Sequence, residues 1–117
     1  MNINEICDRL NEMIYKNIII GEIYINQDNT NEDIQIINSF ENYKRECIKR
    51  EDSEDDYKYE NEKEIKENIL IKINGTIIEF TYRYKFQEEG KYIIEYFFKN
   101  NLTKTCYMFW NCNFWLI

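Results

Sequence analysis

The chain has 117 residues and a formal net charge of −7, and it contains neither histidine nor proline. The acidic charge argues against nucleic acids and anionic membranes as partners, because both require a basic surface. The lack of histidine excludes Ser-His and Cys-His nucleophile pairs and histidine-based metal sites, while the length is natural for one domain with a buried core.

Residues 2–15 are predicted to form an amphipathic helix. Asn2 is a plausible N-cap, with Glu5 three residues later as in a capping box. The apolar side chains follow helical spacing and are Ile3, Ile6, Cys7, Leu10, Met13 and Ile14. We expect this stripe to dock on the domain's own sheet, and the alternative is a helix that binds a partner.

The N-terminal sequence predicts a cytoplasmic protein. Met1 is followed by polar and acidic residues where a signal peptide would have a basic region and an apolar run. No apolar run is long enough to cross a membrane as a helix. We therefore expect the four cysteines to be reduced thiols.

Two strands and a helix are predicted next. Residues 18–25 read as a strand in which Gly21 marks a bulge or a close approach of another group. After a polar loop at residues 27–31, residues 34–37 form a second strand. Asn38 and Ser39 are placed to cap a short helix over residues 40–48.

Residues 49–67 are predicted to be an acidic, mobile loop, and the alternative for its last residues is a turn into helix. They are almost devoid of apolar side chains and are therefore not expected to enter the core. A count of the EF-hand positions from Asp52 places Tyr57 and Lys63 where glycine and glutamate are required, so no calcium site is expected. Ser53 precedes three acidic residues and is a possible phosphorylation site.

Residues 69–98 are predicted to form a three-stranded antiparallel meander. Asn74 and Gly75 are a strong signal for a two-residue hairpin turn, which places Ile71 opposite Ile78. The middle strand then presents one apolar face, made of Ile78, Phe80, Tyr82, Tyr84 and Phe86.

The second connection of this meander is predicted to be a three-residue loop that ends at Gly90. Gly90 supplies the left-handed conformation that the loop needs. The resulting register places Phe86 opposite Tyr92, so the apolar face continues along the third strand. We interpret this face as hydrophobic core, since no basic groove accompanies the rings for base stacking.

No catalytic, cofactor-binding or metal-binding residues are predicted. The cysteines form no C-x-x-C pair, and Cys112 has no base that could activate it as a nucleophile. The glycines are isolated, so no phosphate-binding loop is present.

The C-terminal residues 105–117 form an aromatic tail. We expect this tail to pack on the sheet edge or to cover another surface, because it is too apolar for a free end in water. The predicted interaction residues are Met108, Phe109, Trp110, Phe114, Trp115 and Leu116.

Several short motifs resemble the leader segment of BspA-type leucine-rich-repeat proteins. They are IKING, IIEF, EEGKYIIEY, FKNNLTKT and YMFWNC, within residues 71–112, and residues 33–41 and 57–67 are also similar to that leader. The resemblance implies that residues 102–105 and 107–112 match the entry into the first repeat. After Cys112 this chain has residues 113–117 in place of the repeats.

The sequence as a whole predicts an α+β, predominantly β domain over residues 1–104, followed by the aromatic tail. The resemblance implies a non-catalytic module that binds a protein partner or caps a repeat array. The alternative is a truncated, non-functional fragment whose tail folds onto its own sheet, and a hydrolase is a distant third. The oligomeric state is left open.

Overall fold

The computed structural model describes residues 18–47, 56–100, 102–112 and 114–116. The predicted helix over residues 2–15 and the predicted phosphorylation site at Ser53 lie outside these residues. Across the described ranges, no helix is long and apolar enough to traverse a lipid bilayer.

The described chain is an α+β domain, mostly strand, with two antiparallel sheets. Its elements in order are β1 (Ile18–Ile25), β2 (Asp33–Gln35), α1 (Phe40–Glu46), a 3₁₀ turn (Asp56–Lys58), α2 (Glu62–Asn68), β3 (Ile69–Ile73), β4 (Thr76–Ile78), β5 (Arg83–Lys85), β6 (Gly90–Phe98) and β7 (Trp115–Leu116). The larger sheet has the order β4-β3-β6-β1-β7, and β2 pairs with β5 in the smaller one. The predicted fold class is confirmed at this level.

The strand β1 and the helix α1 form where the sequence predicted them. Eight residues of β1 pair with β6, and Gly21 lies opposite Ile94 in that ladder. The Ser39 side chain caps α1 by accepting a hydrogen bond from the Asn42 backbone N–H at 3.1 Å.

The hairpin between β3 and β4 has the predicted turn and register. Asn74 and Gly75 have φ values of 47° and 82°, as this turn requires. Ile71 lies opposite Ile78, and Ile73 lies opposite Thr76.

The three-stranded meander is not formed, because the predicted middle strand is split. β4 ends at Ile78, and β5 pairs with β2 in the other sheet. β6 instead pairs directly with β3 and β1, so the two longest apolar strands lie side by side at the centre of the sheet. This arrangement buries Ile94 and Tyr96 completely and leaves Ile77 on the short edge strand 58% exposed.

The predicted apolar face survives the split of the strand. Phe86 is buried, and its neighbours at alternate positions are half-buried against the core. The rings of Phe86 and Tyr92 lie 4.6 Å apart, although Phe86 follows the end of β5 and β5 does not pair with β6. The alternation of side chains was therefore predicted correctly, while the hydrogen-bond partners of the residues after Ile78 were not.

Residues 56–67 pack against the domain more closely than the expected solvated loop, and the helix allowed for at the end of the segment is present as α2. Asp56 is buried and its carboxylate lies 2.8 Å from the Lys44 ammonium, while Ile65 is fully buried in the core. These contacts place the segment against the domain, and α2 leads directly into the buried strand β3.

A close approach occurs at Gly21, as its sequence position predicted. A Cβ atom at this position would lie 2.7 Å from the Phe114 ring. Backbone pairing of β7 with Gly21 and Glu22 holds the chain near Phe114 against β1.

We expect Gly21→Ala to lower the free energy of unfolding by about 1–3 kcal/mol, because the added methyl overlaps the Phe114 ring. In a Phe114→Ala background the same substitution should cost much less. Phe109→Ala is the matched control, since Phe109 touches Phe114 without meeting the Gly21 position. Urea unfolding measures how much Gly21→Ala lowers the free energy of unfolding in each background. An equal loss in the wild-type, Phe114→Ala and Phe109→Ala backgrounds would contradict this packing.

Candidate interaction surface

Two buried asparagines hold the C-terminal segment, residues 102–112, against the helices. Asn38 is fully buried, and its backbone N–H donates to the Met108 carbonyl at 2.6 Å. Its side-chain amide donates to the Trp110 carbonyl at 3.2 Å. Backbone and side chain of one residue therefore fix two points of the C-terminal segment.

Asn61 fixes a third point of that segment from the other helix. Its side-chain oxygen accepts from the Phe40 backbone N–H at 2.8 Å, and its side-chain nitrogen donates to the Cys106 carbonyl at 2.8 Å. Asn61 is 2% exposed. Because one amide joins the first residue of α1 to residue 106, the C-terminal segment and the two helices form one packed unit.

Half of the six predicted interaction residues pack inward. Met108 is buried in the core, and the rings of Phe109 and Phe114 lie 5.2 and 6.1 Å from that of Tyr96. Trp110 is 43% exposed. Trp115 and Leu116 form the short strand β7, and their side chains lie outside the described part of the chain.

Trp110 belongs to a cluster of rings that we call the aromatic surface, made of Tyr43, Tyr59, Tyr107 and Trp110. Tyr43 and Tyr107 are stacked at 4.2 Å with an angle of 6° between their planes. The Trp110 ring meets the Tyr43 ring edge-on at 4.7 Å. Tyr59 and Tyr107 are 45% and 37% exposed. Large aromatic area thus lies at one place on the surface, held by ring-to-ring contacts.

The buried ring of Phe40 lies beneath the aromatic surface. Its centroid is 5.6 Å from that of Tyr59 and 5.7 Å from that of Tyr107. A cavity of about 420 Å³ lies here and is lined by Phe40, Tyr59, Cys106 and Tyr107. We call this cavity the aromatic hollow.

The backbone at Tyr107 is in an unfavourable conformation. Its φ is 61°, a left-handed value that costs a side chain with a Cβ about 1–2 kcal/mol. The Tyr107 carbonyl accepts from the Trp110 N–H at 3.1 Å, which closes the turn. The surrounding contacts impose this conformation, and it directs the ring onto Tyr43. Such imposed strain is concentrated at functional sites.

A polar cluster beside the aromatic surface joins the two helices. The Glu41 carboxylate accepts from the backbone N–H groups of Asn61 and Glu62 at 2.8 and 3.0 Å, so α1 caps the start of α2. Arg45 donates both ends of its guanidinium to the Glu62 carboxylate, at 2.5 and 3.2 Å. Tyr82 donates its hydroxyl to the same carboxylate at 2.7 Å.

These contacts shift the pKa values of the cluster in opposite directions. The Arg45 guanidinium, followed by the Tyr82 hydroxyl, lowers the pKa of Glu62 to about 2. Burial raises the pKa of Tyr82. Glu62 is therefore ionised and Tyr82 neutral at physiological pH, so the cluster acts as a fixed clamp between the helices.

The three described cysteines are free thiols. Burial raises the pKa of the Cys112 thiol to about 12, which disfavours its reactive thiolate form. Within the described ranges, no group of three or more His, Cys, Asp or Glu side chains is placed to hold a metal ion.

Comparisons of this chain with models of known protein families, with curated proteins and with solved structures found no match. The similarity to the BspA-type leader therefore stays a prediction.

Sequence reasoning identified Trp110 but not Tyr43, Tyr59 or Tyr107 as members of this surface. Tyr59 was visible as one of two tyrosines in an otherwise polar, acidic run. A solvated loop does not need an aromatic side chain, so a tyrosine in this run was the available sign that the segment contacts something apolar. Tyr43 gave no such signal, since an aromatic side chain three residues after Phe40 is typical of a packed helix face.

We expect Glu62→Gln to lower the free energy of unfolding by about 1 kcal/mol at pH 7, the upper end for partly exposed ion pairs. Because folding lowers the pKa of Glu62, its contribution is complete above pH 4.5 and is lost as the pH falls toward 2. The difference between wild type and variant should therefore shrink over this window.

Urea unfolding at a series of pH values measures this difference. Glu67→Gln is the matched control, because Glu67 lies on the same helix, is exposed and makes no ion pair with a described residue. A wild-type-minus-variant difference that stays constant from pH 7 to pH 2.5 would rule out the proposed clamp.

Proposed function

We propose that this chain is a non-catalytic protein-interaction module that contacts its partner through the aromatic surface. The observation that carries the proposal is the exposed aromatic cluster in which Tyr107 and Trp110 contact the Tyr43 ring. Tyr59 joins this cluster through the buried ring of Phe40 and through the hollow that it shares with Tyr107. Single exposed aromatic residues are ordinary, but a contiguous cluster is typical of binding sites. Tyrosine and tryptophan are also the side chains that contribute most to binding at protein interfaces.

The rigidity of the aromatic surface supports the same proposal. Asn38 and Asn61 fix the backbone of the C-terminal segment, and Tyr107 is held in a left-handed conformation. Side chains that are ordered before binding lose little conformational entropy when a partner arrives. A surface built in this way favours a partner of defined shape.

The narrower form of the proposal is a cap for leucine-rich repeats, and it rests on the sequence resemblance. The residues that resemble the entry into a first repeat include Tyr107 and Trp110, which lie on the aromatic surface. A stacked repeat buries its core against its neighbour, so a cap must offer an apolar face of this kind. We also propose a cytoplasmic location, in which the described cysteines would remain reduced thiols.

A second interpretation is that the aromatic tail only completes the domain's own core. The burial of Met108 and the packing of Phe109 and Phe114 on Tyr96 favour it for those three residues. This interpretation does not explain why Tyr59, Tyr107 and Trp110 are exposed. The two interpretations differ in what happens when those exposed rings are removed.

We expect Tyr107→Asn to weaken binding of a protein partner about tenfold, as the loss of a central aromatic side chain does. The melting temperature should change by less than about 4 °C, because asparagine tolerates the left-handed backbone and relief of strain offsets the lost ring contacts. Affinity capture with wild-type and variant protein, quantified by mass spectrometry, measures the binding.

Tyr24→Asn is the matched control, since Tyr24 is a 60% exposed tyrosine on β1, outside the aromatic surface. The proposal predicts proteins that are retained by wild type and by Tyr24→Asn but lost with Tyr107→Asn. Identical capture by all three proteins would support the second interpretation.

A further inference from the structure

The shape of the aromatic hollow is that of a cup and not of a flat platform. The rings of Tyr59 and Tyr107 are inclined to that of Phe40 by 54° and 44°. Tyr43 covers one side of Tyr107 in a nearly parallel stack, which fixes that wall. The cavity of about 420 Å³ is large enough for the end of one long side chain.

The two cations beside the hollow are each paired with a carboxylate. An adjoining cavity shares Phe40 with the hollow and is lined by Glu41, Lys44, Arg45 and Glu60. Its two cations are compensated, because Lys44 lies 2.8 Å from Asp56 and Arg45 lies 2.5 Å from Glu62. The chain as a whole has a net charge of −7.

Glu60 is the carboxylate that distinguishes this region. It follows Tyr59 directly in the chain, is exposed, and makes no ion pair with any described residue. Its charge is therefore available to a ligand, whereas the Glu62 carboxylate is occupied by Arg45 and Tyr82. Aromatic faces with an uncompensated carboxylate beside them attract a cation.

We propose that the aromatic hollow binds the ammonium group of a lysine side chain carried by a basic segment of the protein partner. This inference rests on the proposed interaction function and names the chemistry of the partner. Each ring face carries partial negative charge, so the walls attract the ammonium group while the side chain's methylene groups pack on the rings. Inclined rings suit a compact ammonium better than a planar guanidinium, which prefers to stack flat on a single face.

The test uses blocked pentapeptides of glycine with lysine, norleucine or arginine at the centre, titrated into the whole ¹⁵N,¹³C-labelled protein. We expect saturable shifts of the Tyr59 and Tyr107 ring resonances with the lysine peptide. The norleucine peptide has the same methylene chain without the charge and should bind about tenfold more weakly. Equal affinity for norleucine, tighter binding of arginine, or shifts confined to other residues would each overturn the proposal.

Two variants test whether the lysine peptide binds in the hollow. Tyr59→Leu keeps an apolar wall but removes the ring, and it should weaken the lysine peptide about fivefold without changing the norleucine peptide. Tyr57→Leu is the matched control, because Tyr57 is 62% exposed on the neighbouring 3₁₀ turn and does not line the hollow. Equal losses in the two variants would contradict the role of Tyr59.

The two proposals can fail separately. If Tyr107→Asn abolishes capture of a partner but no lysine peptide binds, the interaction surface stands and the cation site is wrong. If the lysine peptide binds in the hollow but Tyr107→Asn captures the same proteins as wild type, the cation site stands and the interaction function is wrong.

Discussion

The buried amides of Asn38 and Asn61 are the constraint on which the surface of this domain depends. A buried amide is costly unless its donors and acceptors are satisfied, so each side chain accepts only arrangements that supply the right partners. Here the partners are backbone groups of two segments that lie far apart in sequence. The position of residues 106–110 is therefore specified by hydrogen bonds as well as by apolar contact, and it cannot shift without leaving an amide unpaired.

The aromatic surface follows from that constraint. With the carbonyls of Cys106, Met108 and Trp110 fixed, the Met108 side chain enters the core and the intervening chain must turn sharply. The turn forces the positive φ at Tyr107 and places its ring on Tyr43. The clamp between Arg45 and Glu62 holds α1, which carries Tyr43, against α2, whose N-terminus lies just after Tyr59. The proposed interaction and the stability of the domain thus depend on the same contacts, and substitutions at the two asparagines should affect both.

The sequence was a good guide wherever structure depends on neighbouring residues. The strand at residues 18–25, the cap at Ser39 and the turn at Gly75 all follow from local spacing and turn chemistry. Strand pairing across the chain was predicted less well, because alternation defines which face is buried but does not choose the neighbouring strand. The roles of Asn38 and Asn61 could not be predicted for a different reason. The chain is rich in asparagine, and composition does not indicate which two asparagines become buried.

The most direct test of this account is the amide hydrogen exchange rate of Asn38. Its N–H donates to the Met108 carbonyl, so it is protected only while the C-terminal segment is in place. We expect exchange within about tenfold of the slowest amides of β6, because the segment and the sheet open together. Exchange of Asn38 as fast as the polar turn at residues 27–30, while β6 stays protected, would show that the segment detaches on its own and that the aromatic surface is not preformed.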